Sequence, residues 1–229
     1  MRSPPTMSLA LIVATTPCAE AADPQDGLFD LDDLRVKITE TLPHFEARHE
    51  GRLMRVLRHQ EPGHTVVPPF DHTARDCPPY CIQPMKLAPG VETIGELELI
   101  DYLQRAAKDE PILVIDSRTE PWISHGMIPG ATPIPYTRLD PAHAEPEAIA
   151  DLLEFELGAI RMDGLWSFGA VKTLVFYCNG PWCGQSPSNI RALLQIGYPP
   201  DRIKWYRGGM QMWEQLGFTT VKPSGAVAE

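Results

Sequence analysis

The chain has 229 residues, of which 43% are hydrophobic and 22% charged, with a formal charge of −10 at pH 7. That length holds one ordinary domain and a small extra module. The acidic balance argues against nucleic acid or an anionic membrane as the main partner. Proline, at 24 residues, falls mostly between the apolar runs and predicts long ordered loops.

Residues 1–21 read as a secretory signal peptide. Arg2 is followed by the apolar run Met7 to Thr16, Pro17 breaks it, and Ala19-Glu20-Ala21 fits a small-x-small cleavage site. The run falls short of the roughly 20 apolar residues of a membrane-spanning helix, so no membrane span is expected. The plainer alternative is an unstructured N-terminal extension. An exported mature chain keeps Cys77, Cys81, Cys178 and Cys183, an even number suited to an oxidising compartment.

Gln25 to Asp33 is acidic and reads as loop. Between residues 28 and 70 the pattern is that of a small β-rich module. Phe45 to Arg48 and Leu53 to Leu57 flank His49-Glu50-Gly51-Arg52, a hairpin with Gly51 in its turn. Arg52, Arg55 and Arg58 make either a basic face or a solvated strand face. Residues 71–90 form a linker rich in Pro and Cys, with Asp76-Cys77-Pro78-Pro79-Tyr80-Cys81 at its centre. Cys77 and Cys81 are read as a redox or disulfide pair. Their spacing suits a local disulfide or two thiols offered to the other cysteines. A zinc site from all four cysteines has the ligand count but not the usual spacing, and no metal is expected.

From Val91 strands and helices alternate. A helix is predicted over Glu96 to Ala107, with Leu97, Ile100 and Leu103 on one face. Pro111 to Asp116 is a buried strand, Trp122 to Gly126 a short helix, and Pro133-Ile134 a short strand. Residues 141–158 turn helical in their second half, through Ile149, Leu152, Leu153, Phe155 and Leu157. Arg161 to Ala170 is a connection holding Trp166 and Phe168. Leu174 to Tyr177 is a strand ending on Cys178, followed by a Gly/Pro loop that carries Cys183. Ser186 as N-cap and Pro187 at the first helical position open a helix that Gly197 stops. Ile203 to Tyr206 is a last strand, and Met210 to Leu216 a last helix capped by Gly217. The fold class is therefore α/β, a parallel sheet with helices on both faces, plus the small N-terminal β-rich module. Such sheets bind ligands at the carboxyl ends of their strands, where Cys178 falls.

Several motifs recur in a familiar order. They are Asp116-Ser117-Arg118, the stretch Trp122 to Ala131 (WISHGMIPGA, with Met127 at a position usually His), Val175 to Cys178, and Gly208-Gly209 followed by Trp213. In these the chain resembles a rhodanese-type sulfurtransferase domain over residues 91–222. The CNGPxC loop, with Cys-Pro-Pro-Tyr-Cys upstream, resembles exported bacterial rhodanese-like proteins. The resemblance implies periplasmic transfer of sulfane sulfur, from a small donor such as thiosulfate to a thiol or cyanide acceptor, without a cofactor. Cys178 would form the persulfide, and Cys183 would be a modulator or resolving thiol that pairs with it, a second sulfur acceptor, or the true nucleophile. Asn179, Gly180, Trp182, Gly184, Gln185, Ser186 and Arg118 would bind substrate. No arginine lies between Cys178 and Ser186, and Pro181 takes one N–H from the loop. Any cationic clamp must come from elsewhere, with Arg118, Arg191 and Arg207 as candidates. The alternative is a thiol–disulfide redox or partner-binding module on the same fold, with a periplasmic protein as the partner.

Overall fold

The computed structural model describes residues 34–223. The expected leader, its cleavage site and Cys18 lie outside the described residues. From Arg35 onward the chain forms one compact unit.

Five parallel strands make the central sheet, in the order β3–β9–β8–β4–β5. These are β3 (Glu92–Ile94), β4 (Ile112–Asp116), β5 (Thr132–Pro133), β8 (Thr173–Tyr177) and β9 (Ile203–Tyr206). β8 lies in the middle, with Val114 opposite Val175 on one side and Phe176 opposite Trp205 on the other. A central parallel strand is covered on both faces, so its sequence, TLVFY, is a continuous apolar run. Successive side chains alternate between the faces. Val175 and Tyr177 join one core with Leu99, Ile100 and Leu103 of α1 (Glu96–Ala106) and with Met210 and Trp213 of α5 (Gly209–Gln215). Leu174 and Phe176 join the other with Ile149 of α3 (Pro146–Asp151) and with Ile190 and Leu193 of α4 (Gln185–Ile196). The expected parallel sheet with helices on both faces is present.

Several elements depart from the sequence reading. On α1 Leu99 is buried, while Leu97 is more than half exposed and lies off the inward face. α2 is Glu120–Ile123, two residues earlier than expected, with Pro121 in its first turn. After α3 the chain continues as a π-helical turn, Leu152–Glu156, which leaves Phe155 in solvent. The connection that follows contains a hairpin, β6 (Ile160–Met162) and β7 (Leu165–Ser167), turning at Asp163-Gly164. α4 starts at Gln185 with Gly184 as its N-cap, so Ser186 is not the cap. Ser188 N–H closes the first turn on the Gly184 carbonyl at 2.9 Å. Pro187 therefore sits in the first turn, where its missing N–H has no intrahelical acceptor to lose.

The N-terminal hairpin forms as expected from β1 (Phe45–His49) and β2 (Arg52–Val56). Phe45, Ala47 and Val56 pack into the α1–α5 core, so the hairpin has no core of its own. Arg58 is not part of a basic face: its Nε donates to the Leu216 carbonyl at 2.7 Å, tying the hairpin's exit to the end of α5. His59 N–H donates to the Gly217 carbonyl at 2.7 Å beside it. Residues 60–89 contain no helix or ladder strand, as the prolines imply.

Candidate functional site

Cys178 follows the last residue of β8, at the carboxyl end of the sheet. Its loop is held from below by the first turn of α5. Met210 N–H donates to the Cys178 carbonyl at 2.9 Å, and Gln211 N–H to the Asn179 carbonyl at 2.8 Å. Gly209 makes this approach feasible. It has φ +58°, and a Cβ there would lie 2.4 Å from the Cys178 carbonyl oxygen and 2.7 Å from Gly180 N. The loop turns back on itself through Cys183 N–H to the Gly180 carbonyl, at 2.9 Å. Trp182 Nε1 is fixed by Gln211 Oε1. These bonds aim the loop and the start of α4 at the Cys178 sulfur.

Both thiols are free and buried. Burial alone pushes the Cys178 thiol up. Hydrogen bonds from the Cys183 thiol, from the backbone N–H and hydroxyl of Ser186 and from Gly180 N–H outweigh it, and hold Cys178 below its ordinary value. Cys183 is pushed the other way, by burial first and then by its hydrogen bond and proximity to a Cys178 thiolate. The two thiols are thus pushed in opposite directions, and Cys178 is the more readily ionised. Cys178 Sγ donates to the Cys183 carbonyl at 3.5 Å, and Cys183 Sγ donates to Gln185 Oε1 at 3.7 Å. Thiolate character makes sulfur nucleophilic.

A cavity of about 340 Å³ opens beside the pair, lined by Tyr80, Trp122, Tyr136, Asn179, Cys183 and Gln185 among others. Cys183 is among its lining residues and Cys178 is not. Asn179 is 1% exposed, its Nδ2 points to Cys183 Sγ at 3.9 Å, and its Oδ1 has no partner. A larger hollow of about 770 Å³ along residues 85–93 contains no cysteine or histidine.

Of the residues singled out in the sequence, Cys178, Asn179, Gly180, Trp182, Cys183, Gly184, Gln185 and Ser186 come together here. Ser186 is fully buried, with its hydroxyl 3.1 Å from that of Ser117, and faces the sulfur rather than the cavity. Arg118 does not join them. It is 0% exposed and bonded inward: Nε to Asp116 Oδ1 at 2.8 Å, Nη2 to Asp116 Oδ2 at 2.6 Å, Nη1 to the Trp122 carbonyl and Nη2 to that of Gly126. It braces the loop after β4 and is unavailable as a clamp on substrate. Arg207 is committed to the Gln83 carbonyl, and Arg191 lies exposed along α4. Cys77 and Cys81 are joined to each other, with Cα atoms 4.8 Å apart, which removes two ligands from any four-cysteine zinc site.

Residues 99–216 match the family of rhodanese-like domains. The chain belongs to the rhodanese-like family. This rhodanese-like protein is 27% identical over 132 residues to a sulfurtransferase of Allochromatium vinosum, a match that covers 58% of the chain and 99% of that relative. Among solved structures it is similar to a Bacillus halodurans protein (21% identity, 60% of this chain, 82% of that chain, TM-score 0.41). It is also similar to a human single-domain sulfurtransferase (22%, 54% and 95%, TM-score 0.33). The thiosulfate sulfurtransferase of Pseudomonas aeruginosa matches at 18% identity over 60% of this chain and 22% of its own, with a TM-score of 0.38.

The site of this rhodanese-like protein also includes groups that the sequence reading passed over. Tyr80 comes from the stretch taken as a linker, Tyr136 from a stretch given no element, and Gln211 from a helix noted only for its span; Arg75, also of the linker, lies over the Trp182 ring at 4.2 Å. Their signal was weak. A lone arginine five residues before a tyrosine, in a Pro/Cys loop, becomes meaningful only once the loop is seen to fold back over Trp182.

Proposed function

We propose that this rhodanese-like protein is a sulfurtransferase, or sulfane-sulfur carrier, in which Cys178 forms the persulfide. The observation that carries the reading is a free, buried thiol at the carboxyl end of β8, whose surrounding loop and α4 start hold it below its ordinary value despite burial. The thiolate attacks the outer sulfur of a donor such as thiosulfate. The donor's S–S bond breaks, sulfite leaves with the electron pair, and Cys178 carries the persulfide. An acceptor thiolate, or cyanide, then attacks the outer sulfur. The persulfide bond breaks, its electron pair returns to Cys178, and the acceptor departs with the sulfur. Donors that stabilise the Cys178 thiolate act in both halves, since that thiolate is the nucleophile first and the leaving group second.

Export to the periplasm belongs to the same proposal. Its supports are the apolar run at residues 7–16, the small-x-small site at Ala21 and the Cys77–Cys81 disulfide, a bond favoured in oxidising compartments.

Intact-mass analysis of the protein after thiosulfate or polysulfide, with Cys178 and Cys183 confirmed as reduced, tests the chemistry. One added sulfur is expected on wild type and on Cys183→Ser, and none on Cys178→Ser. Wild type that gains no sulfur sinks the proposal.

Two free, buried cysteines packed in one loop favour a second reading, as a dithiol. Cys178 would attack a disulfide of a partner protein. Cys183 would then displace the partner's sulfur, leaving a Cys178–Cys183 disulfide and a reduced partner. Thiol counting across a redox titration decides it: a reversible couple at a mild potential supports exchange, and its absence removes the reading.

A further inference from the structure

The stretch read as a linker is a wall of the site. Tyr80 faces the cavity, and its ring meets Trp182 edge-on at 5.4 Å. Trp122 leans on Trp182 from another side at 5.9 Å. Three attachments hold this strap in place. The Cys77–Cys81 disulfide closes its turn, Gln83 N–H donates to the Pro181 carbonyl at 2.8 Å, and Arg207 grips the Gln83 carbonyl at 2.7 Å. All of it precedes the family-matched residues 99–216.

The strap also delivers a charge. The Arg75 guanidinium lies 4.2 Å from the centroid of Trp182, 5.6 Å from that of Trp122 and 5.7 Å from that of Tyr80. Its Nη2 donates to the Pro69 carbonyl at 2.6 Å, and its Nε is shielded from solvent without a partner. Among the described residues no carboxylate forms an ion pair with it. Aromatic faces hold a cation without neutralising it. The cavity lining carries no Lys, Arg, His, Asp or Glu, so no charged side chain in the lining opposes Arg75. Fields decay slowly through a low-dielectric wall and are screened less there than at a surface.

We propose that Arg75, carried on this disulfide-closed strap, is a specificity-determining residue that draws anionic sulfur compounds into the cavity beside Cys183 and disfavours cationic ones. It supplies the positive charge that the loop from Cys178 to Ser186 lacks. The proposal rests on the sulfurtransferase reading for its substrate, but not for its test.

The test compares two thiol reagents of equal reach and opposite charge, 2-sulfonatoethyl and 2-aminoethyl methanethiosulfonate. Their rates of adduct formation at Cys178 and Cys183 are followed by mass, with Cys77–Cys81 intact. The anionic-to-cationic rate ratio is expected to fall about tenfold in Arg75→Gln, the order of effect of one charge across such a wall. Arg75→Lys, which keeps the charge, should stay within about threefold of wild type. If Arg75→Gln does not fold, Arg75→Met keeps the aliphatic stem over Trp182 and carries the same expectation. A packing role alone would change both rates together. A ratio unchanged by Arg75→Gln or Arg75→Met, an Arg75→Lys ratio as low as that of the uncharged variants, or no adduct from either reagent at either cysteine overturns the proposal. Thiosulfate kinetics then add a rise in KM of similar size for Arg75→Gln, with kcat little changed. A wild type that takes no sulfur but shows the charge-dependent ratio would defeat the sulfurtransferase reading and leave this one standing.

Discussion

Replacing Cys183 with alanine isolates the donor that most distinguishes this loop. The Cys183 thiol is one of several groups that oppose burial at Cys178. A hydrogen bond to a charged acceptor contributes about 1.5–3 kcal/mol. A thiol is a weak donor, which places this bond at the low end. About 1.5 kcal/mol corresponds to roughly tenfold in the equilibrium between thiol and thiolate. Cys183→Ala should therefore lower the iodoacetamide alkylation rate of Cys178 by about tenfold at pH values where the thiolate is a minority. At high pH, where Cys178 is fully ionised, the variant should match or exceed wild type, because removing the Cys183 sulfur opens the cavity toward Cys178. Cys183→Ser, which restores a donor, should recover the low-pH rate to within about threefold. The assay is the pH profile of alkylation, with the adduct mapped to Cys178 by mass. A Cys183→Ala profile that overlays wild type, or a serine variant as slow as alanine at low pH, would refute the role given to Cys183.

Gly209→Ala should cost about 2–4 kcal/mol in urea unfolding and abolish sulfur loading, because its Cβ collides with the Cys178 carbonyl and φ is positive. Near-wild-type stability would mean that the α5–loop approach is looser than described. Glu214, buried on α5, has a carboxyl pushed up to about 7 by burial, against a smaller opposing pull from Arg118. The folded state then holds a proton that the unfolded chain releases at about pH 4.3. Stability from this group is present in full below that pH and is lost as pH rises toward 7. Glu214→Gln should gain about 2 kcal/mol on wild type at pH 8, after allowance for residual solvation, and nothing at pH 4; a gain independent of pH would point to packing instead.

The order of motifs made the fold legible before any coordinates. Buried parallel strands are written as unbroken apolar runs, and β4, β8 and β9 were read from them almost to the residue. The hairpin at Gly51 was equally plain, since alternation and a turn residue are local signals. What the sequence did not disclose depends on contacts distant along the chain. Ser186 looked like a helix cap by residue type, yet Gly184 holds that place and Ser186 is buried within 3.1 Å of the Ser117 hydroxyl, 69 positions away. Arg118 was a candidate clamp because the loop from Cys178 to Ser186 has no arginine, but its buried partner Asp116 and two loop carbonyls hold it inward. Arg75 escaped notice because an isolated arginine in a loop has no periodicity. Its meaning comes from three aromatic rings drawn from separate segments.

The clasp between residues 57–59 and 216–219 governs when the site can exist. Leu57 N–H meets Thr219 Oγ1 across 162 positions, and Arg58 meets Leu216 across 158. α5, which ends in that clasp, is also the element whose first turn fixes the Cys178 loop. Closing so long a segment is entropically expensive and is offset only when the whole core has formed. The geometry of the Cys178 loop is therefore tied to closure of this clasp, and shortening the chain past either side of it is expected to release the loop.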